Sequence, residues 1–285
     1  MEVLLANFLN GVSYGSILFI IASGLSLIFG VMGILNLAHG ALYMLGAFIG
    51  LTVATHSGNF LAGAVAAAIS LGIIGLIFDR VFLSRLYKQF NEQALLTLGL
   101  VYIFANAVIW IWGPWSEMGD SPEILSGSVS IGEYGFPIYR FAIIAMGLMI
   151  FGGLWWLQYK TKTGARIRAG MDNKEMTIGL GINYGMISSA IFILGAIMGG
   201  LAGFLGTPII GAYPEMSMEI LLLAMIIVVI GGLGNIQGAL LGSFIIGIFD
   251  VFGKAYFPNF ATFTLYLIFL IVLLVRPTGL LGRRT

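Results

Sequence analysis

Between Glu2 and Asp79 the chain carries no aspartate, glutamate, lysine or arginine. Four more stretches, 93–116, 176–214, 220–249 and 255–275, are equally free of formal charge. A helix needs about 20 apolar residues to cross the hydrocarbon core of a bilayer, and each stretch meets that length. A soluble fold of this size has no way to bury so many uncharged helices on every side. Composition agrees: 59% of the chain is hydrophobic and 9% is charged, against roughly 45–50% and ~25% in soluble domains. We read an all-α, polytopic membrane helical bundle in one domain spanning residues 1–285.

Breaks in the apolar pattern give nine hydrophobic segments, near 6–29, 34–55, 60–79, 93–113, 140–158, 185–206, 219–233, 238–257 and 262–276. Two are irregular. The segment at 34–55 contains "NLAHG", and the short one at 219–233 ends in "GGLGN". Both are expected to be broken or re-entrant, which lipid-embedded proteins tolerate where the backbone faces protein or water. The opening "MEVLLANFLNGVSYG" lacks a basic region and a small-residue cleavage site, so it reads as the start of a retained span.

The positive-inside rule orients the chain. With the N-terminus outside and the C-terminus cytoplasmic, the cytoplasmic connections hold Arg80, Arg85, Lys88, Lys160, Lys162, Arg166, Arg168, Lys174, Arg276, Arg283 and Arg284, which leaves only Arg140 and Lys254 of the 13 basic residues outside. The loop 114–139 becomes an acidic external segment with Glu117, Asp120, Glu123 and Glu133. A net charge of +1 offers no basic field for nucleic acid. The chain has no cysteine, and its two histidines, His39 and His56, do not form a metal-ligand spacing. No catalytic residue and no metal site is expected.

The stretch "KTKTGARIRAGMDNKEMTIGLGIN" (160–183) gathers five of the 13 basic residues. Within it, Asp172 followed three residues later by Glu175 is a variant of the capping box, and Gly179 and Gly181 offer helix stops. These signals frame a short helix near 173–178 with Met176 and Ile178 as apolar knobs, preceded by a helical turn in "GARIRAGM". So short a helix is marginal alone in water. An ordinary solvated loop would explain the charge, but not the cap, the knobs and the stop. Those features suit docking to a cytoplasmic partner.

The chain has 41 glycines. Gly195, Gly199 and Gly203 recur every four residues, and Gly46/Gly50 and Gly238/Gly242 are further pairs, as close helix packing in lipid requires. Polar groups inside the spans are few. Asn36, His39, Asp250, Asn106, Ser13 and Tyr14 are the candidates for a solute pathway, with Asp250 the only carboxylate well within a predicted span. Structural hydrogen bonds are the competing reading for each, and pairing with Lys254 is another for Asp250.

Four ordered stretches carry a family resemblance: "GLSLIFGVMGILNLAHGALYMLGAF" (24–48), the charged segment with "GINYGMISSAIFILGAIMGGLAGFLGTPIIGAYPEM" (181–216), "VVIGGLGNIQGALLGSFIIGIFD" (228–250) and "LVRPTGLLG" (274–282). "DRVFLSRLYKQFNEQALLTLGL" (79–100) fits more loosely. Together they resemble the branched-chain amino acid (Liv-type, LivH-like) ABC transporter permeases. One position departs: Ala41 stands where LivH-like members commonly carry an acidic residue after the His-Gly pair. The resemblance implies a non-catalytic permease subunit in a bacterial inner membrane. Its implied partners are a second, LivM-like permease, two cytoplasmic ATPase subunits that use ATP and Mg, and a periplasmic or lipid-anchored solute-binding protein. It also implies that 159–183 is a coupling loop, with Arg166, Arg168, Asp172, Lys174 and Glu175 as polar contacts and Met176 and Ile178 as apolar ones. The implied cargo is a branched-chain amino acid or a related small solute such as an amide or urea. The chain has no Walker A lysine context, so it binds no cofactor of its own in this reading. A stand-alone carrier or channel for a small neutral solute is the alternative.

Overall fold

The computed structural model describes residues 2–86, 89–131 and 134–282. Lys88, Glu133, Arg283 and Arg284, used above to orient the chain, lie outside the described residues. The helices are α1 (Glu2–Met32), α2 (His39–Ser57), α3 (Phe60–Val81), α4 (Phe90–Trp112), α5 (Ile138–Lys160), α6 (Lys162–Asp172), α7 (Lys174–Gly179), α8 (Tyr184–Ile210), α9 (Met216–Gly231), α10 (Ile236–Tyr256) and α11 (Ala261–Val275). Seven are long and apolar enough to cross a membrane, and α9 and α11 are shorter apolar helices. The protein is a polytopic helical membrane protein. The only strands among the described residues, β1 (Ser128–Ile131) and β2 (Tyr134–Pro137), form an antiparallel hairpin within the acidic loop.

The centre of the bundle is α8, and glycine explains why. An added Cβ at Gly195 would lie 2.6 Å from Ile28 of α1, and one at Gly203 would fall on the Tyr43 carbonyl of α2. On another side, Gly200 faces Leu71 of α3 at 2.7 Å by the same construction. Bare backbone at these positions lets α1, α2 and α3 all reach α8. Stacking of Phe78 on Phe192, with ring centroids 5.5 Å apart, fastens α3 to α8. A second seam joins α1 to α10: an added Cβ at Gly11 would meet Ile248 Cα at 2.6 Å, and one at Gly15 the Ser243 carbonyl at 2.9 Å.

The irregular segment at 34–55 proves to be two things. Gly33, with φ +66°, ends α1 in the left-handed region that favours glycine. Residues 34–38 are not helical, yet Ile34, Asn36 and Ala38 are buried, Asn36 fully, and Leu35 and Leu37 are half-buried. Helix α2 starts at His39, not near 34. His39 Nε2 meets the Ile21 carbonyl at 3.0 Å, near the middle of α1, and its ring also lies against Gly199, near the middle of α8. Hence α2 begins deep in the bundle. Helix α9 begins beside it, since a Cβ on Gly40 would fall on the Ser217 carbonyl in the first turn of α9. Helices α2 and α9 therefore start side by side inside the bundle, where protein surrounds the non-helical residues ahead of α2.

Pro208 lies inside α8. It cannot donate to the Phe204 carbonyl, and the Thr207 hydroxyl supplies that bond instead at 2.8 Å. Asp250, expected as the only carboxylate well within a predicted span, is joined by a second buried carboxylate at the end of one. Asp79 sits in the last turn of α3, is 1% exposed, and accepts a hydrogen bond from Ser189 of α8. A segment boundary drawn at residue 79 left this group at the rim. Ser189→Ala should therefore lower stability by about 1.5–3 kcal/mol, the range for a hydrogen bond to a charged group. Thermal unfolding of the purified variant in detergent checks this, and an unchanged midpoint would contradict it.

Candidate functional site

Three places in the bundle carry the residues singled out by sequence. The first is the charged segment. Thr161 caps α6 by accepting from the Gly164 N–H at 3.0 Å. Gly164 itself makes the sharp α5–α6 corner, because a Cβ there would fall on the Leu157 and Gln158 carbonyls. Gly164, Ile167 and Gly170 form the buried stripe of α6, at the spacing of one helical face. The cap of α7 differs from the expectation. Asn173, not Asp172, is the N-cap, and its Oδ1 accepts from the Met176 N–H at 2.9 Å. Asp172 is the last residue of α6. Asn caps as well as Asp, and the sequence pattern alone did not choose between the neighbours.

The polar residues of this segment divide. Arg168 turns inward, donating to the Gln158 carbonyl and stacking 5.2 Å from the Tyr159 ring. Lys174 lies 4.8 Å over Tyr184. Arg166, Asp172 and Glu175 are exposed. Among them stand large apolar side chains in the open: Met176 at 66% exposure and Ile178 at 52%. Leu180 and Met186, which sequence reasoning did not single out, are exposed as well. They flank the same turn, and their position beside the glycine stop was the signal that could have found them. Gly181, with φ +77°, closes α7. Asn183 then caps α8 by accepting from the Met186 N–H at 3.0 Å, and the Tyr184 hydroxyl donates to the Val31 carbonyl at the end of α1. The short helix is thus joined to the central helix by a capped, four-residue link.

The second place is the buried break. Asn36 Oδ1 accepts from the Ala38 N–H at 3.1 Å. The Asn36 amide nitrogen, His39 Nδ1 and the Ser13 hydroxyl are buried with no hydrogen-bond partner. The Tyr43 hydroxyl, one turn further along α2, is in the same condition. These are buried polar groups set in an otherwise apolar core. Asn106 does not join them; it is exposed on α4 and bonds its own helix at the Tyr102 carbonyl, 2.8 Å away.

The third place is a cleft of about 470 Å³ at the other end of the bundle from α6 and α7. Tyr14 and Asp250 both line it, together with Asn10, Arg140, Ile209 and Lys254. Lys254 Nζ and Asp250 Oδ2 are paired at 2.6 Å. Arg140 donates to Asn10 Oδ1 at 2.7 Å, across 130 positions of sequence. Nearby, the Tyr213 hydroxyl donates to Glu219 at 2.6 Å.

The family model for the branched-chain amino acid transport system / permease component matches residues 7–276. The chain belongs to this family. As a permease component it is similar to the high-affinity branched-chain amino acid transport system permease protein BraD of Pseudomonas aeruginosa, with 29% identity covering 98% of this chain and 96% of BraD. The corresponding LivH protein of Escherichia coli K12 is also 29% identical, over 98% of this chain and 96% of its own length. A probable LivH of Methanocaldococcus jannaschii is 26% identical over 96% and 91%. No solved structure matches significantly. All three places described above lie within the matched residues of this permease component. Ala41, the departure noted in the sequence, is fully buried in the first turn of α2.

Proposed function

We propose that this permease component is one of two membrane subunits of a bacterial plasma-membrane ABC importer. Its N-terminus lies outside and its C-terminus in the cytoplasm. A solute-binding protein delivers a branched-chain amino acid, or a related small solute such as an amide or urea, to the outer face. Two ATPase subunits close on Mg-ATP below, and a second, LivM-like permease completes the membrane part. The chain itself performs no chemistry. The observation that carries this reading is the α6–α7 unit, whose charged rim and exposed Met176 and Ile178 form a docking knob. Through Gly181 and Asn183 the knob is joined to α8. Motion of α8 reaches α1, α2 and α3 directly, including the interior start of α2 at His39. The non-helical break at Asn36 and His39 is then where access alternates.

Reconstitution tests the proposal. Liposomes holding both permeases and the ATPases should accumulate solute only with ATP and binding protein, and this chain alone should give no flux. Because the chain has no cysteine, single replacements report its orientation. In intact cells Met118→Cys should react with an impermeant thiol reagent and Glu175→Cys should not. ATP-independent flux through this chain alone would favour a carrier, and reaction at position 175 from outside would remove the coupling role.

A further inference from the structure

We propose that the cleft between α1, α5, α8 and α10 is a zwitterion site, which selects an apolar α-amino acid over an amide, an amine or urea. In it Arg140 and Lys254 take the carboxylate, Asp250 takes the ammonium, and Ile209, Ile210 and Val251 take the side chain. This rests on the importer reading above and narrows its cargo.

The first ground is where the exceptions fall. Arg140 and Lys254 are the two cations that depart from the charge asymmetry of the chain, and both line this one cleft. One comes from the first turn of α5 and the other from the last turn of α10. Cations scattered along a membrane interface have no reason to converge in this way.

The second ground is the arrangement of charge. The Asp250 side chain is 5% exposed and forms the floor, and that of Lys254 is 64% exposed and forms the rim. Its ammonium also lies 5.7 Å from the Tyr14 ring, a face that attracts cations. Arg140 presents a fork of five donors, and one of them is held by Asn10, which also lines the cleft. A lone anion entering here would meet Asp250, and a lone cation would meet Arg140 and Lys254. A molecule bearing both charges satisfies both sides. An ammonium at Asp250 also releases Lys254 from its present pair, which frees the lysine to join Arg140 on the carboxylate. The volume of about 470 Å³ lies in the range of small-molecule sites, which are mostly apolar with a few placed polar groups.

The cysteine-free chain supplies the test. In the assembled importer in liposomes, Val251→Cys, with Ala255→Cys as a second reporter, is labelled by an impermeant anionic thiol reagent. L-leucine, leucinamide and isoamylamine, added separately, are compared as protectants, and ATP-driven leucine uptake is measured in parallel. Leucine should slow labelling about tenfold, and the amide and the amine should not. Arg140→Gln should raise the leucine concentration for half-protection by about tenfold to a hundredfold, the loss of one charged hydrogen-bond partner, and Arg140→Lys should restore part of it. Leucine uptake without protection at either reporter overturns the site, as does protection unchanged by both Arg140→Gln and Lys254→Gln. Labelling that follows the lipid, phosphatidylethanolamine against phosphatidylcholine, and ignores leucine makes the occupant a headgroup and also overturns it. Protection by leucine without ATP-driven uptake supports the site and defeats the importer reading. Absence of both defeats the two together.

Discussion

Replacing Gly203 by leucine is expected to destabilise the bundle by about 3 kcal/mol or more, the upper end of overpacking losses. The added Cβ would fall on the Tyr43 carbonyl and lie 3.0 Å from the Ala47 backbone nitrogen. Both obstacles are backbone, so no rotamer change relieves the clash. Helix α2 cannot back away, because its start at His39 is wedged against α1 and α8. Nor does lipid supply a hydrophobic attraction to hold two separated helices together. The loss should appear as a lowered unfolding midpoint in detergent, or as failure to accumulate in the membrane. Gly152→Leu is the control, because nothing lies within 4 Å of a Cβ at Gly152. Equal stability of the two variants would refute the account of α8 as a glycine-faced hub.

The double variant Met176→Asp with Ile178→Asp should fold normally and lose its ATPase. Both side chains are more than half exposed, and surface changes away from buried features usually shift stability by less than about 0.5 kcal/mol. At an interface, a central apolar anchor is commonly worth about 2 kcal/mol or more. Weakening of association by at least about thirtyfold follows. A titration of the purified variant against its ATPase in detergent measures it, with circular dichroism confirming the fold. Wild-type affinity would place the coupling contact elsewhere. Arg168→Glu makes a poor substitute for this test. Its guanidinium holds the α5–α6 corner through Gln158 and Tyr159, so its loss would act through the bundle and not through the partner.

The helical membrane fold was legible because charge is nearly forbidden in lipid and the uncharged runs are long. The interior ends of helices were less legible. "NLAHG" announced irregularity, but hydropathy has no term for depth, so it could not place His39 beside Ile21. Burial of Asp79 escaped notice because a charged residue at the end of an apolar run looks like a rim residue. In the charged segment, helix and stop were readable, but the division of labour was not. Arg166 and Arg168 are two positions apart, hence on different helix faces, and only the path of α5 decides which one turns inward. The cleft at the other end from α6 and α7 was half seen. Tyr14 and Asp250 were singled out for being polar within spans, whereas Arg140 and Lys254 were set aside as exceptions to a topology rule. What unites them is the α1–α5–α10 arrangement, a juxtaposition of residues far apart in sequence.

The last described residues turn back onto the end of α9. The N–H groups of Leu280 and Leu281 donate to the carbonyls of Ile230 and Gly231, at 2.7 and 3.2 Å, and the Asn235 amide donates to the Leu281 carbonyl at 2.8 Å. Ile230 is fully buried, so its carbonyl has no ready solvent substitute. In the folded bundle the α9 terminus is therefore completed by residues 280 and 281, which no local turn could supply. Closing the end of α9 is thus a long-range event, since its backbone pairs with a segment about fifty positions further along the chain.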